Sequence, residues 1–459
     1  MKKMNLFTLT CMCIGTIIGV GIFGSMPSAA NYVGPSLLFV CIVAVIEVLI
    51  RYLPSLIPSS SIPASNGFYM YLTKLVNPYV GFLQVIQILF NVFVLSLLAT
   101  VFGQYFNLLA PANETVVAIA VIIIFGFIAY FGLSVGALVQ NIMVIVLISA
   151  LGCYIIFGFT SINPELFTIE KAVSFEGVDF LDFGAALGLM ASCLLGGYVG
   201  VNYAEQIKDP GKNIIKAFFL STCIVGFIYV LMSVATTGAL PSEEVASLAD
   251  CAAAFMPSAF YWFFICGGAL FALATTINGS VLGGIVNLKV IARDRVLPDI
   301  FLRENKFGVS TASLILFCGA GVVIVAFGLD VGTLMSVSSV LGIIIAITQF
   351  IPALRVRKRY PNCYKNAPIK LPMPLIYVLI AVALAFCAYE GYSLVVSSNS
   401  GVWIALVATI ILCYGYFFAR IAYLKRRGID LIAIMSEPYA PWEAMEKKYA
   451  RLAENRSDI

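Results

Sequence analysis

Long apolar runs follow one another along almost the whole 459-residue chain, and they limit what the chain can fold into. A helix that crosses the hydrocarbon core of a bilayer needs about 20 mostly apolar residues. Since 61% of the residues are hydrophobic and only 11% are charged, a water-soluble domain is excluded. The sequence therefore predicts an all-α polytopic membrane protein with twelve transmembrane helices. Their approximate bounds are 6–31, 35–57, 78–108, 115–133, 135–160, 182–205, 212–239, 258–292, 309–328, 330–353, 374–397 and 401–424.

Glycines interrupt two of these runs at a depth where a membrane helix would otherwise be continuous. The first run contains Ile14–Phe23 (IGTIIGVGIF), and the sixth contains Leu195–Val201 (LGGYVGV). Glycine inside a helix costs about 1 kcal/mol relative to alanine, so the clusters predict that the backbone leaves the helix there. Breaks at matching places in two successive halves are typical of an inverted-repeat transporter with a midplane binding site. The alternative is that glycines four residues apart only allow close helix packing.

Basic residues determine the expected orientation. With the N-terminus in the cytoplasm, every Lys and Arg except Lys171 falls at a cytoplasmic end or loop, and Arg51 is counted there at the end of span 2. We therefore expect a multi-pass protein of the cytoplasmic membrane with both termini in the cytoplasm. The net charge of +4 is then an orientation signal near anionic lipid and gives no reason to expect nucleic acid. The first run superficially resembles a signal peptide, but its length and its break favour a retained span.

The chain lacks the residues that several kinds of chemistry need. It contains no histidine, which removes Ser-His-Asp triads, histidine metal sites and histidine proton relays. No P-loop pattern and no C-x-x-C pair occur, so neither direct use of ATP nor a zinc site is indicated. We expect no enzyme activity, no cofactor and no metal site. The expected partners are a small molecule and the lipid bilayer.

The two predicted breaks offer complementary backbone groups. In span 1, the inner half-helix is expected to end near Ile17 and the outer half to begin near Val20 and Gly21. Free N–H groups at a helix start favour a carboxylate, and free carbonyls at a helix end, as near Ser192, favour a cation. A site that offers both fits a zwitterion. The predicted substrate-binding residues are Ile17, Gly19, Val20, Gly21, Ser192, Leu195, Gly196, Gly197 and Tyr198.

Motifs around the breaks resemble those of the amino acid–polyamine–organocation permeases. Ile17–Phe23 resembles the signature G-[ST]-I-I-G-x-G-I-F near the start of those proteins, and Ala204–Ile214 resembles their A-E-E-x-K-N-P-x-[RK]-N-I. Ile62–Leu72 resembles I-P-x-S-G-G-x-Y-x-Y-L, and Val139–Asn141 and Ile291–Pro298 also fit. The resemblance extends to about residue 360.

The resemblance implies a LeuT-like five-plus-five inverted repeat with discontinuous helices 1 and 6, alternating access and amino-acid substrates. It implies that the substrate carboxylate lies on the Gly19–Gly21 amides and the ammonium on carbonyls near Ile17, Ser192 and Leu195. The implied division of the chain is 1–160 for the first repeat, 161–353 for the second, 354–424 for two further helices and 425–459 for a cytoplasmic tail.

Three residues depart from the pattern of the family that the motifs resemble. Ser192 stands where members often have a bulky aromatic gate. Leu147 stands where many proton-coupled or sodium-independent members have a lysine, and Ile57 stands where an acidic residue is usual. The gate and the coupling ion are therefore left open by the resemblance.

Polar side chains inside the predicted spans are further candidates, because such residues are costly in a membrane. Glu47 in span 2 either carries a proton or is a structural glutamate. Glu205, beside a lysine-containing loop, favours an ion pair at an inner gate. Asn91 continues a polar stripe in span 3, which either forms interhelical hydrogen bonds or contacts the substrate. Thr275 and Thr276 in span 8 offer hydroxyls for a Na⁺ site.

The sequence thus favours a secondary active transporter, a permease that moves amino acids by alternating access, with H⁺ or Na⁺ as a possible co-ion. One alternative is a permease for another small zwitterion or organic amine. The other is a transporter-like amino-acid sensor that signals through its tail, where one amphipathic stretch lies around Trp442–Leu452.

Overall fold

The computed structural model describes residues 3–19, 21–175, 177–241, 247–328, 331–397 and 400–457, and for 331–336, 393–394, 397 and 455–457 it describes the backbone alone. Regular structure in these ranges is helical. The helices are α1 Leu6–Ile17, α2 Gly21–Val33, α3 Leu37–Ser61, α4 Gly67–Tyr71, α5 Pro78–Asn107, α6 Glu114–Tyr130, α7 Leu133–Thr160, α8 Ile169–Ser174, α9 Phe180–Ser192, α10 Pro210–Ala239, α11 Leu248–Phe255, α12 Ser258–Phe263, α13 Phe271–Arg293, α14 Thr311–Ala326, α15 Val331–Arg359, α16 Pro361–Lys365, α17 Met373–Ser397, α18 Ser400–Lys425, α19 Leu431–Ser436 and α20 Ala440–Ser457.

Most of these helices are apolar enough to lie in a bilayer. Within the described ranges, nine helical segments of 18 or more residues meet the length and composition of a membrane span. The helices α1, α6 and α14 are apolar but shorter. A backbone in lipid must satisfy its own hydrogen bonds, which a helix does. The chain is accordingly a multi-pass helical membrane protein.

Both glycine clusters interrupt helices, as the sequence predicts. The first helix, α1, ends at Ile17, and α2 begins at Gly21. The ninth helix, α9, ends at Ser192, and a 3₁₀ segment follows over Gly197–Gln206. Between them Gly196 has a φ of 117°, which lies in the left-handed region that glycine adopts without strain.

The packing alternative holds for another of these glycines. A Cβ built on Gly15 would lie 2.1 Å from Nε2 of Gln140 on α7, so this position lets α1 and α7 approach closely. The same kind of contact joins α10 to α3, because a Cβ on Gly226 would lie 2.2 Å from Cγ2 of Val45. Close packing and backbone breaks therefore occupy different glycines of one cluster.

The placement of Arg51 corrects the charge count. The third helix, α3, continues to Ser61, past the predicted end at residue 57, and contains Pro54 and Pro58. Arg51 therefore lies inside α3, and its side chain is only 4% exposed. Its charge is satisfied by carboxylates within the protein, so it is not an orientation signal at a membrane surface.

The C-terminal segment packs on the helical body. Trp442 of α20 is fully buried, stacks on Tyr71 at 5.7 Å between ring centroids and meets Tyr360 edge-on. Its indole Nε1 donates a hydrogen bond to the carbonyl of Pro63, 3.3 Å away. The Glu446 carboxylate accepts hydrogen bonds from the backbone N–H groups of Asn362 and Cys363 in the first turn of α16. This segment, which the sequence marked only as amphipathic, is part of the fold.

Candidate functional site

The two helix breaks contact each other. A Cβ built on Gly196 would lie 2.6 Å from the carbonyl oxygen of Thr16, so the backbones of the two breaks nearly touch. The Thr16 hydroxyl donates a hydrogen bond of 3.1 Å to the Gly196 carbonyl. From α13, the Thr276 hydroxyl donates to the carbonyl of Gly15, also at 3.1 Å. Two chain segments about 180 residues apart thus form one irregular backbone region, with α13 beside it.

The backbone groups predicted to bind substrate are partly used within the breaks. The Gly19 N–H donates to the Ile17 carbonyl at 2.9 Å, and the Leu195 N–H donates to the Ser192 carbonyl at 3.3 Å. In this conformation the Gly19 N–H is therefore not free, and the Ile17 and Ser192 carbonyls each already accept one hydrogen bond. Gly21 is exposed at the first position of α2, where N–H groups have no partner within the helix. Val20 lies outside the described residues.

A cavity of about 620 Å³ adjoins the α9 break. Of the predicted binding residues, Ser192, Leu195 and Tyr198 line it. The other described members of that set do not belong to its walls; they are Ile17, Gly19, Gly21, Gly196 and Gly197. The remaining walls come from α2, α3, α4, α5, α15 and α17. The structure thus brings three of the predicted residues together around the cavity, and it places Gly196 and Gly197 against Thr16 and Ile17 in the contact between the breaks.

Two stacked tyrosines stand where this cavity meets the α9 break. Tyr52 of α3 and Tyr198 stack with ring centroids 4.7 Å apart and an interplanar angle of 16°, and Phe68 packs against Tyr198 at 5.7 Å. All three line the cavity. Ser192, at the usual position of an aromatic gate, is exposed and donates its hydroxyl to the Leu189 carbonyl of its own helix. The sequence signals the missing aromatic residue but gives no sign of Tyr52.

Uncharged polar side chains from α5 and α15 cover another wall. Nε2 of Gln87 donates to the Ser338 hydroxyl at 3.0 Å, and Nε2 of Gln349 donates to Oε1 of Gln84 at 3.3 Å. Of these, Gln84 and Gln87 lie on α5 and belong with Asn91 to the polar stripe predicted in span 3. Asn91, the third member of the stripe, is half-buried and is not part of the cavity wall. The cavity therefore presents amides and hydroxyls suited to a polar solute.

Charged groups of the cavity wall lie on α3 and α17. The Arg51 guanidinium donates a hydrogen bond to Glu390 through Nη1, which lies 3.6 Å from Oε1 of Glu47. Arg51 and Glu390 line the cavity, and Glu47 lies behind them, 2% exposed. The sequence singles out Glu47 as an intramembrane acid but misses its partner, because Arg51 is counted as a loop residue.

The two predicted span 8 hydroxyls differ in placement. Thr275 is fully buried and donates to the Ala272 carbonyl within α13. Thr276 is half-buried and reaches the span 1 break, as described above. Leu147, at the usual lysine position, is fully buried and apolar. Of the two threonines, Thr276 is therefore the one placed to hold an ion or ligand at the break.

Glu205 lies at the far end of the 3₁₀ segment and makes a bidentate ion pair. Its carboxylate accepts from Nη1 and Nη2 of Arg293 at 2.7 and 3.1 Å, so its ionic partner is on α13 rather than in the neighbouring lysine loop. The Tyr439 hydroxyl from the C-terminal segment also donates to it at 3.3 Å. Burial, and then the Glu205 charge, raise the pKa of Tyr439, so this phenol remains a donor.

Similarity to known proteins shows the family of this chain. Residues 4–417 match the family model described as amino acid permease. The chain belongs to the amino acid permease family. It is 23% identical to the methylthioribose transporter of Bacillus subtilis, over 90% of this chain and 93% of that protein. It is 28% identical to the serine/threonine exchanger SteT of Bacillus subtilis, over 64% and 67%. It is 24% identical to the human large neutral amino acids transporter small subunit 2, over 95% and 84%.

Family membership fixes the general activity of this permease. The relatives are membrane transporters rather than enzymes, and the apolar helices of this chain agree with that class. The amino acid permease is therefore a transporter of small molecules. Its cavity beside the paired helix breaks has polar side chains in its walls.

Proposed function

We propose that this permease is a secondary transporter that moves amino acids across the cytoplasmic membrane by alternating access. The observation that carries the proposal is the contact between the two helix breaks, Thr16 against Gly196, beside a polar cavity. Half-helix ends that meet in this way direct backbone dipoles at a small bound molecule. Membership of the permease family supports the substrate class.

The proposed architecture has twelve spans. The helices α1 and α2 together form span 1, and α9 with the 3₁₀ segment forms span 6. The first inverted repeat takes residues 1–160 and the second takes 161–353, with two further helices in 354–424 and a cytoplasmic tail in 425–459. The basic loops support cytoplasmic termini, and the internal pairing of Arg51 removes one charge from that argument without reversing it.

The substrate carboxylate is proposed to bind at the start of α2, where Gly21 is exposed. The ammonium is proposed to bind the carbonyl oxygens of Ile17 and Ser192, each of which has a second lone pair beside its turn hydrogen bond. The side chain then extends past Tyr198 towards the amides of α5. Such walls favour a neutral side chain of small or medium size.

In this orientation the cavity opens outward and the inner end is closed. Gly184 and Gly188 on the outer half of span 6 line the cavity. At the opposite end of that span, Glu205 is held by Arg293. The first residues of the chain close the same end, since the Met4 N–H donates to the Gln206 carbonyl at 2.8 Å. Opening to the cytoplasm then requires these contacts to separate.

A second candidate solute is a hydroxylated thio-sugar. The relative named methylthioribose transporter aligns over 90% of this chain. The cavity wall contains Gln84, Gln87, Ser338 and Gln349, which are donors and acceptors for hydroxyl groups as well as for amino-acid side chains.

Counterflow into proteoliposomes tests the proposal. Vesicles loaded with one unlabelled amino acid are expected to take up the same labelled amino acid, with competition by a subset of the twenty. Gln87→Leu, in the wall, is expected to raise KM at least tenfold, whereas Asn91→Leu on the same helix, outside the wall, leaves KM within twofold. Exchange of methylthioribose alone favours the second candidate. Binding without exchange of any solute favours a sensor and refutes transport.

A further inference from the structure

Three ionisable side chains form one buried set between α3 and α17. They are Glu47, Arg51 and Glu390, with side-chain exposures of 2%, 4% and 27%. Two carboxylates share one guanidinium, so the set carries a formal charge of −1 when all three are ionised. Removal of an unbalanced charge from water costs several kcal/mol. The set therefore favours one additional positive charge.

The hydrogen bonds show which of the two carboxylates lacks a donor. Arg51 directs its Nη1 hydrogen bond to Glu390, while Glu47 is left at 3.6 Å from the same atom. In the part of the chain that the structure describes, both carboxylate oxygens of Glu47 are buried without a hydrogen-bond partner. A buried carboxylate without a donor becomes neutral by binding a proton.

We propose that Glu47, together with Arg51 and Glu390, is the proton-coupling site of this permease, an inference that rests on the proposed secondary transport. A proton from water forms an O–H bond with a carboxylate oxygen of the set, and its release to water breaks that bond. The charge of the set changes from −1 to 0 on binding and returns to −1 on release. In the conformation seen here, Glu47 holds the proton.

The neighbouring groups do not supply a competing charge. The other titratable side chains of this region are phenols and a thiol, and none is a carboxylate, an ammonium or a guanidinium; they are Tyr32 on α2, Tyr52 on α3, Tyr198 after the α9 break, and Cys387 and Tyr389 on α17. The described walls from α5 and α15 offer amides and hydroxyls, and α10 meets this part of α3 with Gly226. Within the described residues, the proton balance of this wall therefore belongs to the three-residue set.

The position of the set links it to solution and to the break. Glu390 lines the cavity and is the most exposed member, so protons enter through it. Arg51 lies over the ring of Tyr52 at 5.6 Å, and Tyr52 stacks on Tyr198 beyond the break. A movement of the break shifts Tyr198, hence Tyr52, and changes which carboxylate the guanidinium reaches. Substrate translocation and proton release are thereby coupled.

Two isosteric variants in proteoliposomes test the site, each measured for counterflow and for accumulation driven by an inward proton gradient. Glu47→Gln mimics the protonated form permanently. Glu390→Gln leaves Arg51 to balance Glu47, so the set is neutral without a proton. Glu47→Gln, behind the cavity wall, is expected to keep counterflow within about twofold of wild type and to lose gradient-driven accumulation at least tenfold. Glu390 lines the cavity, so Glu390→Gln is compared with its own counterflow rate, relative to which its gradient-driven accumulation is expected to fall at least tenfold. Glu165→Gln, in an exposed loop, is the control and is expected to keep both activities.

The outcomes separate the two proposals. Wild-type counterflow with no response to a proton gradient overturns the proton site and leaves the transporter proposal standing. Unchanged gradient-driven accumulation by Glu47→Gln also overturns the site. If either variant is too unstable to reconstitute, the other decides, together with wild-type proton uptake followed by a dye inside the vesicles. Absence of wild-type counterflow for every solute refutes the transporter proposal itself.

Discussion

Gly196→Ala perturbs the contact between the two breaks directly. The residue has a φ of 117°, and a left-handed conformation costs an L-residue about 1–2 kcal/mol. The new Cβ would lie 2.6 Å from the Thr16 carbonyl oxygen and 2.8 Å from the carbonyl carbon, and these backbone atoms have no rotamer with which to move away. Separation of the two backbone segments also lengthens the hydrogen bond from the Thr16 hydroxyl to the Gly196 carbonyl, which costs about 1 kcal/mol of stabilisation.

These contributions total about 3 kcal/mol against the conformation seen here. If the loss falls on folding, an unfolding entropy of about 2.1 cal/mol/K per residue predicts a Tm lower by about 3 °C. If it falls on one transport state, about 3 kcal/mol corresponds to roughly a hundredfold change in that state's population and in the exchange rate. Thermal unfolding in detergent and counterflow together measure both consequences.

Gly391→Ala is the matched control, because a Cβ at that position in α17 meets no atom within 4 Å. It is expected to leave exchange unchanged and to stabilise its helix slightly. A Gly196→Ala protein that unfolds within 1 °C of wild type and exchanges at the wild-type rate would contradict the left-handed break and the touching backbones. A loss shared equally by both variants would show that any alanine in these helices is harmful.

Three further results are expected. Trp442→Ala removes a fully buried ring that packs on Tyr71, which should destabilise the C-terminal packing by about 3–5 kcal/mol. Protease should then cleave the tail while the helical body stays folded. An uncleaved tail would contradict the packing. Arg293→Gln leaves the Glu205 carboxylate without its ionic partner, so the inner end is expected to open more readily. Thiol-reactive probes added from the cytoplasmic side should then label a cysteine placed at Thr16 at least fivefold faster. Unchanged labelling would show that the ion pair is not part of the gate. Replacement of Na⁺ by choline should leave the rate of uptake within twofold, because a proton is the proposed co-ion. A tenfold lower uptake in choline that no longer occurs in Thr276→Val would instead indicate a Na⁺ site at the break.

The sequence predicts the helical class and both breaks because each is a local property. Apolar length marks a span wherever its neighbours lie, and glycine clusters mark a backbone that leaves the helix. The roles of single glycines are not local. Gly15 and Gly196 belong to similar clusters, but Gly15 faces Gln140 across a helix interface and Gly196 turns the chain, and only the packed neighbours distinguish them.

The cavity is harder to predict, since its walls come from distant segments. Arg51 and Glu390 are 339 residues apart, and a charge in an apolar run is ordinarily assigned to a membrane surface when its partner is unknown. The stacking of Tyr52 on Tyr198 likewise depends on helix rotations that residue spacing does not fix. Ser192 and Leu147 identify what this permease lacks relative to its family, and the structure shows that Ser192 bonds to its own helix and that Leu147 is buried.

The order in which the chain is made gives the C-terminal packing a further consequence. Synthesis proceeds from the N-terminus, so the spans enter the membrane before Tyr439 and Trp442 leave the ribosome. Glu205 and the Pro63 carbonyl can accept hydrogen bonds from these two side chains only after the spans have been inserted. A newly inserted molecule therefore lacks these contacts until the segment around residues 439–442 has been synthesised. Addition of this segment, rather than insertion of the last span, completes this face of the helical body.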